Sequence, residues 1–257
     1  MKTRQSTSKT IQIAALVFAA VACIAAIMVL PEFWQFFRKD QGAQPAKATL
    51  FDYFPIFIGS SWTYNVSNLS EVEDPEMDPF GTYTDTIVTV ETGPGDKFQV
   101  VGIKTDGENP LRFCEKQPGS PAISPDAYYA INKEQLYVVC TLDEAYKVAN
   151  EVLAAPETII PASGQTPDYV FPFEVGNTWQ WDDSSDKWYV ESIVDVTTPA
   201  GHFTDCYRIV LFTLPDTSIR WVCPGVGLVA AEYHHHGSMR EIRAELASYQ
   251  IGMGNGP

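Results

Sequence analysis

Phe54-Pro55-Ile56-Phe57-Ile58-Gly59-Ser60-Ser61-Trp62-Thr63-Tyr64 returns 117 positions later as Phe171-Pro172-Phe173-Glu174-Val175-Gly176-Asn177-Thr178-Trp179-Gln180-Trp181. The shared frame is Phe-Pro, three residues, Gly, two small polar residues, Trp, one residue and an aromatic, with no gap inside it. Each copy reads as a turn that feeds a strand. Proline fixes its own φ and pushes the residue before it into an extended conformation. The glycine suits a turn position with positive φ. Strand side chains alternate, so Trp62 and Tyr64 share a face, as do Trp179 and Trp181. These four rings are expected to be wedges in a β core, with ligand stacking as the alternative role.

The sequence around the two copies is rich in strand signals. Trp62–Leu69, Gly81–Glu91 and Lys97–Asp106 read as strands, the last two joined by the turn Gly93-Pro94-Gly95-Asp96. Shorter strands are predicted at Leu111–Lys116, Tyr128–Asn132 and Gln135–Thr141. Asp143–Leu153 is the helix-like stretch of the body, with an acidic start and apolar residues at helical spacing. Ala154–Tyr169 is a Pro-containing connector. Strands follow at Trp188–Thr198, Phe203–Thr213, Ser218–Cys223, Leu228–Tyr233 and Met239–Tyr249. About a dozen strands at short spacing predict a mainly β fold, an antiparallel sandwich or a partly open barrel. Outside the aromatic frame the halves do not align. The expectation is therefore one domain at 50–250 with two related halves, and a tail at 251–257.

Ile11–Leu30 is apolar except for Gln12, and as a helix it spans ~30 Å, the thickness of a bilayer core. Lys2, Arg4 and Lys9 precede it, so residues 1–10 are expected to stay cytoplasmic and 11–30 to cross the membrane. In the segment 31–49, Trp34, Phe36, Phe37 and Arg38 fit the far membrane interface, and QGAQPAKA fits a linker. The rival readings are a cleaved signal peptide, or lipidation at Cys23 after Ala20-Val21-Ala22. The bilayer is thus one expected partner.

Charge is unevenly placed. Residues 1–39 carry five Lys and Arg against Glu32, a net of +4, so the remaining chain carries −15 − 4 = −19. A body that acidic argues against nucleic acid, whose phosphates need clustered cations. It argues equally against docking on anionic headgroups.

Val196-Thr197-Thr198-Pro199-Ala200-Gly201-His202-Phe203-Thr204-Asp205-Cys206 and Trp221-Val222-Cys223-Pro224-Gly225-Val226-Gly227-Leu228-Val229 resemble a group of exported bacterial domains, often lipoproteins. Their pattern is Gly-x-x-Trp-x-Tyr, then V-x-x-P-A-G-x-F-x-x-C, then W-Y-x-P-G-V-G-x-V. The likeness covers Tyr53–Tyr249. Val222 and Cys223 depart from it, and Trp181 stands where Tyr is usual. The resemblance implies an envelope location and a β-rich fold, and no catalytic residues.

Cys114, Cys140, Cys206 and Cys223 are an even set in a disulfide-permissive compartment. Cys206 and Cys223 lie on strands joined by the Pro215 turn, near cross-strand register, and are expected to pair. Cys114 and Cys140 are then the remaining pair. No CxxC frame supports a redox or zinc-ribbon motif.

His234-His235-His236 could hold a metal if His234, His236 and Glu232 shared a strand face; Gly237-Ser238 beside it favours a solvated hairpin tip. His202 lies apart, in the Pro-Ala-Gly turn. Glu73-Asp74 and Asp182-Asp183 read as polar loops, and 71–79 as a weak calcium candidate. Nucleophile elbow, P-loop and dinucleotide fingerprint are absent from the sequence. No cofactor or catalytic residue is therefore expected. The first functional expectation is a non-enzymatic, membrane-anchored accessory or scaffold subunit whose partners are other envelope proteins. The alternative is a binder of lipid or another apolar ligand; a metal-dependent hydrolase is the least supported.

Overall fold

The computed structural model of the chain describes residues 48–69, 81–93, 97–111, 114, 124–155, 162–180, 186–213, 216–235 and 241–253. Ile11–Leu30, the interfacial residues Trp34, Phe36, Phe37 and Arg38, Cys23, Trp181, His236 and the acidic stretch 71–79 lie outside them. Among the described residues no helix is long and apolar enough to cross a membrane.

Twelve antiparallel strands form one sheet in a nearly closed barrel. They are β1 (Ser61–Asn68), β2 (Thr82–Thr92), β3 (Gln99–Asp106), β4 (Ala127–Ile131), β5 (Gln135–Val139), β6 (Tyr169–Val170), β7 (Thr178–Gln180), β8 (Lys187–Thr198), β9 (Gly201–Phe212), β10 (Asp216–Cys223), β11 (Gly227–His235) and β12 (Glu241–Gln250). Their order is β6-β5-β4-β3-β2-β1-β12-β11-β10-β9-β8-β7. Each half of the chain is thus a six-stranded meander, and the halves join where β1 pairs with β12. The edge strands β6 and β7 are only two and three residues long. Short edges offer little template for strand addition. Across that seam the Trp179 indole N–H donates to the Pro167 carbonyl at 3.0 Å.

The repeated frame makes the same turn twice. Phe57 N–H donates to the Pro55 carbonyl and Ser60 N–H to Phe57; Glu174 N–H donates to Pro172 and Asn177 N–H to Glu174. Each turn then continues the following hairpin. Gly59 N–H donates to Ile87, whose own N–H donates to Ser60; Gly176 N–H donates to Val190, whose N–H donates to Asn177. Gly59 and Gly176 have φ of +85° and +95°. One difference separates the copies: the Phe171–Pro172 peptide is cis. The halves therefore correspond in backbone hydrogen bonding where their sequences do not align.

The turns carry their aromatics into the barrel and against each other. Tyr53 meets Phe173 at 5.3 Å and Phe171 at 5.6 Å between ring centroids, and Phe54 meets Tyr169 at 4.9 Å. Tyr207 of β9 closes the group, 5.4 Å from Phe173. Trp179 stacks on Trp188 at 6.0 Å, and both are buried.

One α-helix stands among the described elements, α1 (Leu142–Ala154), beside a single 3-10 turn at Leu50–Asp52. A capping box starts it: Glu144 N–H donates to the Thr141 hydroxyl, and Thr141 N–H to the Glu144 carboxylate. Ala145, Val148, Ala149 and Val152, spaced for a single helical face, cover Val100, Ala130, Tyr137 and Val139 on the outside of β3–β5.

Some expectations are corrected. Leu111 lies in a turn and Cys114 outside any strand, so no strand starts at Leu111. The Asn109 side chain accepts from the Leu111 N–H and bends the chain there. The connector before Tyr169 ends in β6, and the second aromatic frame contains β7; both are too short for side-chain alternation to reveal them. Within the tail, Gly252 N–H donates to the Ser60 hydroxyl at 2.9 Å.

Gly59→Ala and Gly176→Ala should each cost about 1–2 kcal/mol, the penalty of a left-handed residue. A Cβ at either position meets nothing within 4 Å, so the cost is conformational only. Urea unfolding of each variant checks this, and unequal losses would break the equivalence of the two turns.

Candidate functional site

Alternation along the strands decides which side chains enter the barrel. On β1 these are Trp62, Tyr64 and Val66, opposite Asp85 and Tyr83 of β2. Tyr129 of β4 and Val138 of β5 pair on the same face, as do Ser218 with Tyr233 and Arg220 with Ala231 on β10 and β11. The aromatic turns fill part of the interior. Beside them remains a cavity of about 310 Å³, whose walls include Trp62, Tyr64, Tyr83, Asp85, Tyr129 and Arg220. Barrels of about eight strands are filled by their own side chains, and wider ones leave room inside.

The cavity wall is built by two distant motifs. The Trp62 indole N–H donates to the Val226 carbonyl at 2.8 Å, and the Tyr64 hydroxyl to the Leu228 carbonyl at 2.8 Å. The Gly-x-x-Trp-x-Tyr segment is thereby fastened to the Pro-Gly-Val-Gly turn. Gly225 of that turn donates its N–H to the Asp52 carbonyl. Tyr64 is buried and stacks on Tyr83 with ring centroids 4.9 Å apart, and Trp62 is half-buried.

Three carboxylates, Asp85, Asp168 and Glu232, and the guanidinium of Arg220 supply the charge. Arg220 donates to Asp168 at 2.8 Å and lies over the rings of Trp188 and Tyr169 at 4.5 and 5.3 Å. Burial works against its charge, but Tyr169 and Asp168 outweigh that and hold its pKa above the usual guanidinium value. Asp85 is buried among the rings. It accepts from the Thr105 hydroxyl at 2.6 Å and the Asn109 amide at 3.4 Å. Burial pushes the Tyr64 hydroxyl well above the ordinary phenol range, and Tyr83 and Asp85 add to it. Tyr169 is raised by burial, against the pull of Arg220.

The cysteines form two bonds. Cys206 and Cys223 join adjacent strands with a Cα separation of 4.2 Å, both buried. Cys114 and Cys140 join with a Cα separation of 5.1 Å and line the cavity.

The histidines part company. His234 and His235 end strand β11, where neighbouring residues face opposite ways. His234 meets Glu232 at 3.1 Å and Glu241 at 3.7 Å on the outer face, where Arg243 also binds Glu232. His235 pairs with Asp216 on the inner face. His202 sits near Asp195 at 3.9 Å. Among the described residues no group of three or more His, Cys, Asp or Glu side chains is placed to hold a metal ion.

Sequence reasoning passed over Asp85, Asp168 and Arg220. The signal was present for two of them. Asp85 interrupts the apolar alternation of Tyr83 and Ile87, and Arg220 is a charge two residues before the buried Val222. A charge on the inward face of a strand marks a polar group inside a barrel.

No protein-family model matches this chain, and neither does any curated protein. Two solved structures share similarity with it. One is a putative exported protein with a YmcC-like fold from Bacteroides fragilis, 12% identical, covering 77% of this chain and 98% of its own at a TM-score of 0.39. The other is a putative lipoprotein from Parabacteroides distasonis, 15% identical, covering 80% of this chain and 100% of its own at a TM-score of 0.41. Likeness at this level transfers neither role nor residues.

Asp168→Ala should destabilise by about 2–3 kcal/mol, below the full cost of breaking a buried pair because both side chains keep some solvent contact. Asp168→Leu with Arg220→Met should recover most of that loss. A double-mutant cycle on urea unfolding measures both, and a double variant no better than Asp168→Ala contradicts the pairing.

Burial also raises the pKa of Tyr53, Tyr64, Tyr137 and Tyr169. In the unfolded chain tyrosines ionise near pH ~10. A folded pKa above the unfolded one gives stability that is whole below that pH and lost as pH rises past it. Each such tyrosine should remove up to ~1.4 kcal/mol per pH unit above pH ~10. Urea midpoints across that range test it, and a flat profile would sink the assignment.

Proposed function

We propose that this chain is a non-enzymatic protein of the cell envelope whose barrel binds a small, largely apolar ligand. In this reading the Ile11–Leu30 segment tethers it, the N-terminus is cytoplasmic and the β body lies outside the membrane. The cavity carries the proposal. At about 310 Å³ it lies at the lower end of the range of small-molecule sites, and its wall is mostly aromatic and aliphatic with a few polar groups. That composition favours ligand binding over the pure scaffold role that sequence alone ranks first. The lack of a metal-holding cluster among the described residues bears on neither reading. The acidic body supports a location away from nucleic acid and from anionic lipid surfaces.

A second reading, an accessory subunit of a membrane complex, draws on the outer surface. The repeated turns present Ile58 and Val175 at equivalent positions, 61% and 57% exposed, with Phe57 at 42% beside the first. Paired apolar tips on one scaffold suit contact with a protein partner.

Native mass spectrometry of the full chain, extracted from membranes in mild detergent, tests the first reading. A co-purifying small molecule is expected, and Ala231→Leu, which intrudes on the cavity, should remove it. A ligand-free spectrum for the natural chain, or a co-purifying molecule that Ala231→Leu retains, would count against the cavity. Crosslinking on intact membranes tests the second reading: partners should crosslink through the Ile58 and Val175 turns.

A further inference from the structure

We propose that the Cys114–Cys140 disulfide is a redox-exchangeable cross-link in the wall of the barrel cavity: a small uncharged thiol opens it, and opening it weakens ligand binding. The exchange stands on the two disulfides alone. The control of binding rests on the reading of the cavity as a ligand site.

The two cross-links differ in what surrounds them. Cys206 and Cys223 are 0% and 1% exposed and lie in an apolar cluster with Tyr64, Val196 and Leu246. Cys114 and Cys140 are half-buried, and both line the cavity of about 310 Å³. Thiol exchange needs access to a sulfur, and exposed disulfides are the labile ones. The packed sheet denies that access at the first bond and solvent grants it at the second.

The chemistry is two displacements. An incoming thiolate attacks one sulfur, the sulfur–sulfur bond breaks, and its electron pair leaves on the other cysteine, which takes up a proton. A second thiolate then displaces the second cysteine from the mixed disulfide. Two small thiols become one free disulfide, and the protein gains two electrons and two protons. The acidic body selects the reagent. Residues 40–257 carry −19, and such a field disfavours an anionic thiol against a neutral one of the same size.

The effect on the cavity follows from how each cysteine is held. Cys140 stands between β5 and α1, and its N–H donates to the Glu144 carboxylate at 3.2 Å. Cys114 lies outside any strand, and Asn109, Pro110 and Leu111 before it line the same cavity. When the bond opens, the sulfurs retreat from bonding to van der Waals separation. Cys140 stays with its strand and helix, so the displacement falls on Cys114 and on the wall residues that precede it. At the other cross-link the Tyr207–Val222 ladder pair sits beside the bond, so the strands there are held without it.

The test uses the full chain in a non-ionic detergent. It is treated with 2-mercaptoethanol or with 2-mercaptoethanesulfonate at equal thiolate concentration and low salt, then alkylated and mapped by peptide mass spectrometry. Cys114 and Cys140 should react at least tenfold faster than Cys206 and Cys223, and the neutral thiol at least threefold faster than the sulfonate. Isothermal titration calorimetry with indole, a neutral apolar probe, compares the two states. The chain reduced at Cys114–Cys140 should bind indole at least fivefold more weakly than the oxidised chain. Cys114→Ser combined with Cys140→Ser should bind as the reduced chain does and respond no further to thiol; its intact Cys206–Cys223 bond reports a folded sheet. Equal reactivity of the two bonds, or none at either, overturns the proposal, and a sulfonate as fast as the neutral thiol overturns the charge selection. Selective exchange with indole bound equally in both states, or bound by the double variant as by the oxidised chain, overturns the control of binding and leaves the cavity reading intact. Selective exchange with no indole bound by the oxidised chain overturns the control and the cavity reading together.

Discussion

The two Phe-Pro turns meet inside the barrel, and much of the structure follows from that contact. Twelve strands enclose more space than inward side chains alone can fill. Tyr53 and Phe54 enter with the first turn, and Phe171 and Phe173 with the second, at centroid distances of 4.9 to 5.6 Å from their aromatic partners. Such aromatic contacts add to the area each ring removes from water. The plug fills part of the interior. The cavity is the part it leaves.

The same contact manages an asymmetry. If the halves were equivalent throughout, β6 would pair with β7 as β12 pairs with β1. No ladder joins β6 to β7 among the described residues. The seam is held by side chains instead: the Trp179 indole on the Pro167 carbonyl, and the phenylalanines of the second turn. Arg220 reaches from β10 to Asp168, just before β6. Burying that guanidinium costs desolvation, and the carboxylate together with two ring faces offsets it. A charge pair thus stands where a backbone ladder would otherwise run.

Motifs distant in sequence become one wall. Trp62 and Tyr64 donate to carbonyls 164 positions away, at Val226 and Leu228. The indole and phenol thereby serve as both core rings and hydrogen-bond donors, an economy open to Trp and Tyr but not to Phe. The Cys206–Cys223 bond holds β9 to β10, and the Cys114–Cys140 bond fastens Cys114 just past the end of β5 at the cavity wall. The site therefore rests on a laddered sheet fastened by two covalent cross-links.

Local sequence determined the long strands, the amphipathic helix and both repeated turns. In each case the deciding physics is short-range: period-2 alternation, a capping box, and glycine at positive φ. Tertiary structure alone decided the remainder. The strands β6 and β7 exist because neighbours pair with them, since two or three residues carry no periodic signal. Asp85 and Arg220 became interior groups because the sheet curls, which turns one face of an amphipathic strand toward a cavity. The choice of a barrel over a sandwich was likewise set by the β1–β12 pairing, a contact between opposite ends of the domain that no local pattern encodes.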